Sequence, residues 1–278
     1  MDIAGEFFGV TDWADYDEAF IALHPFYLID GVRPSDFAAP TKHVVLNDVS
    51  ELPDPETLLA QLKAGEPGKF DVATLENLAK TAAIQVRWSE VSARLELPDY
   101  RNLNTILRTQ IWGIAREAMD QQGADALTAY LIESGMFAPV EGRFQPIMEA
   151  GIGTAFGRAG EDVVVVRDEF GDYEVQLPSL SLVTEGPLSS RSQILNTERV
   201  DGLPAWFFPR EISAPDGGLR CFAHWDSFFT VFLGKSGRLA HCDLPSLFEG
   251  FWCLPSTTID WQAEPLIPLA KPTGARLL

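Results

Sequence analysis

The spacing of hydrophobic positions changes rhythm partway along this chain. Between residues 51 and 135 they recur at helical intervals; beyond 135 they alternate or run together, as strands do. Pro55 opens a first predicted helix with Leu58, Leu59 and Leu62, and Gly65 suits its stop. Asp71 is an N-cap residue for a long helix reaching about Leu97, ended by Pro98. Leu75, Leu78, Ala82 and Val86 form one apolar row along it, and Ile84, Trp88, Val91 and Leu95 form another. Leu103, Ile106, Leu107, Ile111, Ile114, Ala115 and Ala118 keep an amphipathic series that predicts a helix over roughly Arg101–Gln122, with Gly123 as its end. Leu127, Tyr130 and Leu131 predict a third, shorter helix stopping at Gly135.

In the second half, Val163-Val164-Val165-Val166 predicts a buried strand over Asp162–Arg167. Gly171-Asp172 turns it into Tyr173–Leu177, whose alternation completes an antiparallel hairpin. Ser189–Val200 reads as a short helix, and Ala205–Pro209 and Arg220–Leu233 as strands. Gly234-Lys235-Ser236-Gly237 turns the chain into a returning strand, Arg238–Cys242. Asp243 and Pro245 open a short helix, Ser246–Trp252, and prolines from Pro255 onward impose an extended tail. Residues 1–50 are mixed, with a helix predicted over Asp12–Leu23 and a strand at His43–Leu46.

Helices ahead of strands argue for an α+β fold: an N-terminal helical block packed against a C-terminal, mainly antiparallel β-sheet. No linker-like composition falls near 135–140, which favours one domain over 1–278. Within it lie a mixed segment (1–50), the helical block (51–135) and the β-rich part (136–278).

Composition narrows the setting. Met1-Asp2-Ile3-Ala4-Gly5-Glu6 has neither a basic nor an apolar signal region, and three cysteines do not suggest a disulfide framework, so a cytoplasmic protein is expected. Forty acidic against 21 basic residues give a net charge of −19. Such a surface repels phosphate backbones and anionic lipid, so neither nucleic acid nor membrane is expected as a partner. Residues 1–71 hold 14 acids and 4 bases, about half of the surplus. That excess serves solubility or a docking face for a basic protein; Asp12, Trp13, Asp15, Asp17 and Glu18 are its candidate contacts.

Chemistry-bearing residues concentrate between Cys221 and Cys253, which holds all three cysteines and two of the four histidines. The predicted strand Arg220–Leu233 sends His224 and Asp226 to the same face and Cys221 to the other, which opposes a zinc site. His224 and Asp226 form a candidate catalytic pair, with Ser227 or Cys242 as nucleophile. The plainer reading is a hydrogen-bonded pair at the edge of an aromatic core. Gly151-Ile152-Gly153-Thr154-Ala155-Phe156-Gly157 fails the dinucleotide pattern because Phe156 stands at the third glycine position; turn glycines in a meander explain the run. Gly234-Lys235-Ser236 fails the phosphate-loop pattern because Phe229 stands where glycine is needed. Arg108, Trp112 and Arg116 share an i, i+4 stripe; pairing with the protein's own carboxylates and an anion site at Arg108 and Arg116 are both open readings. No metal and no cofactor is implied.

The strings His224-Trp225-Asp226-Ser227-Phe228-Phe229-Thr230 and Phe248-Glu249-Gly250-Phe251-Trp252 resemble segments of an uncharacterised family of bacterial cytosolic proteins of unknown function. Some families of that kind resemble immunity proteins of contact-dependent toxin systems; the strong negative charge and the lack of a complete catalytic or cofactor motif point the same way, to a non-enzymatic, immunity-like protein that binds a macromolecular partner such as a basic toxin. A hydrolase or transferase built on His224 and Asp226 is the alternative, followed by a small-ligand binding protein.

Overall fold

The computed structural model describes residues 16–36, 72–168, 174–190, 209–223, 227–254 and 257. Its strands are β1 (Glu18–Leu23), β2 (Phe26–Leu28), β3 (Ile84–Val86), β4 (Val163–Asp168) and β5 (Glu174–Pro178). Then come β6 (Pro209–Ser213), β7 (Leu219–Ala223), β8 (Phe229–Gly234) and β9 (Gly250–Trp252). The helices are α1 (Val72–Thr81), α2 (Trp88–Arg94), α3 (Tyr100–Gln110), α4 (Gln121–Ser134) and α5 (Pro146–Arg158), then the short α6 (Ser181–Thr184), α7 (Arg238–Cys242) and α8 (Leu244–Leu247).

Seven strands form one antiparallel sheet in the order β5-β4-β6-β7-β8-β1-β9; β2 and β3 pair separately. The α+β class is the one the sequence predicts, with one rearrangement. The N-terminal β1 sits inside the sheet between β8 and β9, matching Phe20 to Phe232 and to Trp252. Alternation gives the sheet two apolar faces. Phe20, Val164, Val166, Ile212, Cys221 and Phe232 share one core with α1, α5 and α7. Ile21, Leu23, Phe222, Phe229 and Val231 share the other with α2, α3 and α4.

Several predicted elements are corrected. Asp12–Leu23 is not helical where described: Glu18–Leu23 is β1, whose neighbours β8 and β9 supply its hydrogen bonds. The long helix to Leu97 is two helices interrupted by β3, because Ile84–Val86 pairs with Phe26–Leu28. The helix over Arg101–Gln122 ends at Gln110, and Trp112 takes a left-handed φ of 58°. Asp99 starts it by accepting from the Arg101 N–H at 2.8 Å. Gly123 does not end a helix; it lies inside α4, where an added Cβ would stand 2.6 Å from Ile106. Gly135, at φ 67°, does end α4 as predicted.

The predicted hairpin of the valine strand is β4 paired with β5. Arg220–Leu233 is two antiparallel strands, with Ala223 opposite Thr230. Arg238–Cys242 is helical, opened by Gly237 in the left-handed region, and Ser246–Trp252 holds the end of α8 and then β9. The glycine run is not a set of turns. It belongs to α5, where Gly151 admits the Phe248 ring and Gly153 admits the Ser179 carbonyl. The predicted strand at His43–Leu46 and the helix from Pro55 lie outside the described residues. Of Ser189–Val200 and Ala205–Pro209, only a 3₁₀ turn at Leu188–Ser190 and the first residue of β6 fall within them.

Candidate functional site

Ionisable side chains converge where α1 meets α5. Glu76 and Lys80 lie one turn apart on α1, so both project from the same side of the helix. Lys80 Nζ donates to Glu149 Oε2 of α5 at 2.6 Å, and both side chains are almost fully buried, at 3% and 2% exposure. Lys80 also donates to the Gly186 carbonyl at 3.1 Å, while Glu149 accepts from the Leu188 N–H at 3.0 Å. Beside this pair, Glu76 accepts from Arg143 Nη1 at 3.1 Å and from Ser189 Oγ at 2.6 Å. Tyr27 of β2 adjoins them: burial chiefly, with Arg143 opposing and Glu76 adding, pushes its hydroxyl up to about 12.

The arrangement is a clamp. A buried charge needs a partner and further hydrogen bonds to offset desolvation, and each member of the cluster has them within the protein. The cavity bordered by Glu76, Arg143, Glu149 and Ser189 is about 20 Å³, room for a single water. A second cavity of about 50 Å³ lies beside Gln85, Arg87, Ser246 and Glu249. There Glu249 is also committed, accepting from the Trp88 and Ser89 N–H groups and from the Tyr100 hydroxyl. Among the described residues no group of three His, Cys, Asp or Glu has metal-binding geometry.

Glu76, Lys80, Arg143 and Glu149 were not singled out from the sequence. Two signals were present: Glu76 and Lys80 at i, i+4, and Glu149 as a lone acid within the apolar positions Ile147, Met148 and Ile152. An acid that interrupts an apolar helix face points to a buried partner.

The structure distributes the sequence-predicted residues differently. His224 and Asp226 lie outside the described residues, as do Asp12, Trp13 and Asp15. The strand predicted through this stretch ends at Ala223, and β8 begins at Phe229. Ser227 is buried just before β8, where its carbonyl accepts from the Gly142 N–H. Cys242 is buried on α7 and directs its thiol to the Arg238 carbonyl at 3.6 Å. Burial first, then the carboxylates of Glu18 and Glu161, push that thiol up to about 11; burial also raises Cys221. Neither is a ready thiolate.

Asp17 and Glu18 bind their own chain. Asp17 accepts from the Ser236 N–H at 3.0 Å, and Glu18 accepts from the Leu239 N–H at 3.0 Å, at the start of α7. The stripe of Arg108, Trp112 and Arg116 is broken, because α3 ends before Trp112 and Arg116 belongs to a separate 3₁₀ turn. Arg108 instead donates Nε and Nη2 to the Gly113 carbonyl, closing the loop after α3. Among the described residues, no helix is long and apolar enough to cross a membrane.

No curated protein and no solved structure matches the chain. A family model does, over residues 13–263, and it is a family of unknown function, consistent with the resemblance to an uncharacterised family. The chain belongs to that family, described as Protein of unknown function (DUF2711).

Proposed function

We propose that this protein acts by association: an acidic, cytoplasmic protein that binds a basic macromolecular partner, in the manner of an immunity protein that neutralises a basic toxin. One observation carries the reading. Forty acids face 21 bases, and among the described residues seven of the bases are drawn into pairs with the protein's own carboxylates. Lys80 holds Glu149, Arg101 holds Asp99, Arg143 holds Glu76, and Arg158 holds Asp243. Arg167 and Arg220 hold Glu211, and Arg238 holds Glu161 and Asp216. Internal pairing leaves the surplus of carboxylates to set the outer field, which speeds encounter with a positive surface. The protonated, buried thiols and the self-satisfied ion-pair clamp support binding over nucleophilic catalysis. In this reading the chain over 1–278 works as one domain, with helices bracing both faces of the sheet.

The test is a pull-down with the full chain at low and at high salt, each eluate identified by mass spectrometry. Basic proteins retained at low ionic strength and released by salt are expected. Acidic partners, or retention indifferent to salt, would contradict the proposal.

A further inference from the structure

His24 follows β1 directly, and several parts of the chain close on it. Its ring Nε2 lies 2.9 Å from Thr230 Oγ1 of β8. Its N–H donates to the Phe228 carbonyl at 2.8 Å, and its carbonyl accepts from Trp88 Nε1 at 2.6 Å. Next to this corner the Gly142 N–H donates to the Ser227 carbonyl at 2.9 Å. The residue is fully buried, and Nδ1 has no hydrogen-bond partner. The Val140 carbonyl, which also accepts from Gln145 Nε2 at 2.7 Å, lies near enough to the ring to favour a proton on it.

A buried imidazole with an unpartnered nitrogen tolerates the neutral ring and not the cation. Burial, weakly opposed by Val140, brings its pKa down from 6.5 to about 3. Thr230 from β8, Trp88 from α2, Ser227 and Phe228 ahead of β8, and Val140 and Gln145 ahead of α5 make up the surroundings, and none is charged. The nearest acid in this bonded chain is Glu249, which holds the Trp88 N–H. Among the described residues no charged side chain offsets the cost of a proton on His24.

We propose that His24 is an acid-sensitive lock: its protonation opens the corner where the end of β1 meets the start of β8 and the 139–142 loop, while α3 on the second face stays folded. The sign follows from linkage. The open corner returns the ring to water, so it takes up a proton that the closed corner refuses. The closed state is therefore favoured above the ordinary value, and that preference is lost as pH falls from 6.5 toward about 3. Between about pH 7.5 and about pH 5 the opening constant rises roughly 30-fold. The lock is independent of any partner's identity.

Hydrogen exchange of the full chain, followed by mass spectrometry and corrected for intrinsic rates, reads this opening directly. The peptides spanning Leu23–Phe26 and Phe228–Val231 are expected to open roughly 30-fold more at about pH 5 than at about pH 7.5. Those spanning Leu103–Leu107 should hold constant, and His24→Gln should abolish the change at the corner. An equal rise in α3, the same rise in H24Q, or no rise in the natural chain overturns the lock. Should H24Q fail to fold, ring NMR of the natural protein decides: a protonation midpoint below about pH 4 is expected, and one near the ordinary histidine value refutes the proposal.

Discussion

Replacing Lys80 with Met removes the cation from a carboxylate that has almost no access to water. Glu149 then keeps the Leu188 N–H but loses the ammonium, and the Gly186 carbonyl loses the hydrogen bond from Lys80. Breaking a buried pair from one side costs about 3–5 kcal/mol, because the surviving charge stays desolvated. For a chain of this size that is a fall in Tm of roughly 10 °C. Glu149→Leu should cost about as much, since it strands the ammonium. The double variant K80M/E149L leaves no charge behind; what it loses is the hydrogen bonds to Gly186 and Leu188, about 1–3 kcal/mol each at most. Its deficit should therefore be well below the sum of the singles, with a coupling energy of about 2–3 kcal/mol. Urea unfolding followed by circular dichroism gives all three values. Strictly additive losses, or a single-variant loss under about 1 kcal/mol, would refute the clamp.

Three further outcomes follow from local geometry. Gly250→Ala drives a Cβ into the Ile21 carbonyl, so β9 should detach from β1 and stability should fall by about 2 kcal/mol or more in the same urea assay. Asp99→Ala removes the cap of α3 and the Arg101 ion pair, and chemical denaturation should report a loss of about 1–2 kcal/mol. With a thiol reagent near neutral pH, Cys253 should react first, and Cys221 and Cys242 only on unfolding; peptide mapping of the labelled sites checks the order.

Local order was legible in the sequence wherever one segment governs its own shape. The valine strand and its return, the α4 stop at Gly135 and the α3 apolar face needed only periodicity and a turn residue. Elements set by distant partners were not legible. Ile84–Val86 carries the apolar spacing of its helical neighbours, yet Phe26–Leu28 draws it into a ladder. Glu18–Leu23 reads as helix from its own residues and becomes a strand because β8 and β9 flank it. The break between Ala223 and Phe229 falls in a stretch without glycine or proline, so nothing in the composition announces two strands. At the candidate site the same limit applies. Lys80 and Glu149 meet across 69 positions, and no spacing rule connects them. His24 stands apart from the other three histidines in the sequence, and its burial depends on Trp88 and Thr230, far along the chain.

Steering by charge is read from the association rate between this protein and the basic partner recovered by pull-down, measured across a series of salt concentrations. A steered encounter predicts an on-rate that falls steeply with ionic strength while the off-rate changes little. An on-rate that stays flat across the series would contradict the claim that the surplus of carboxylates drives recognition.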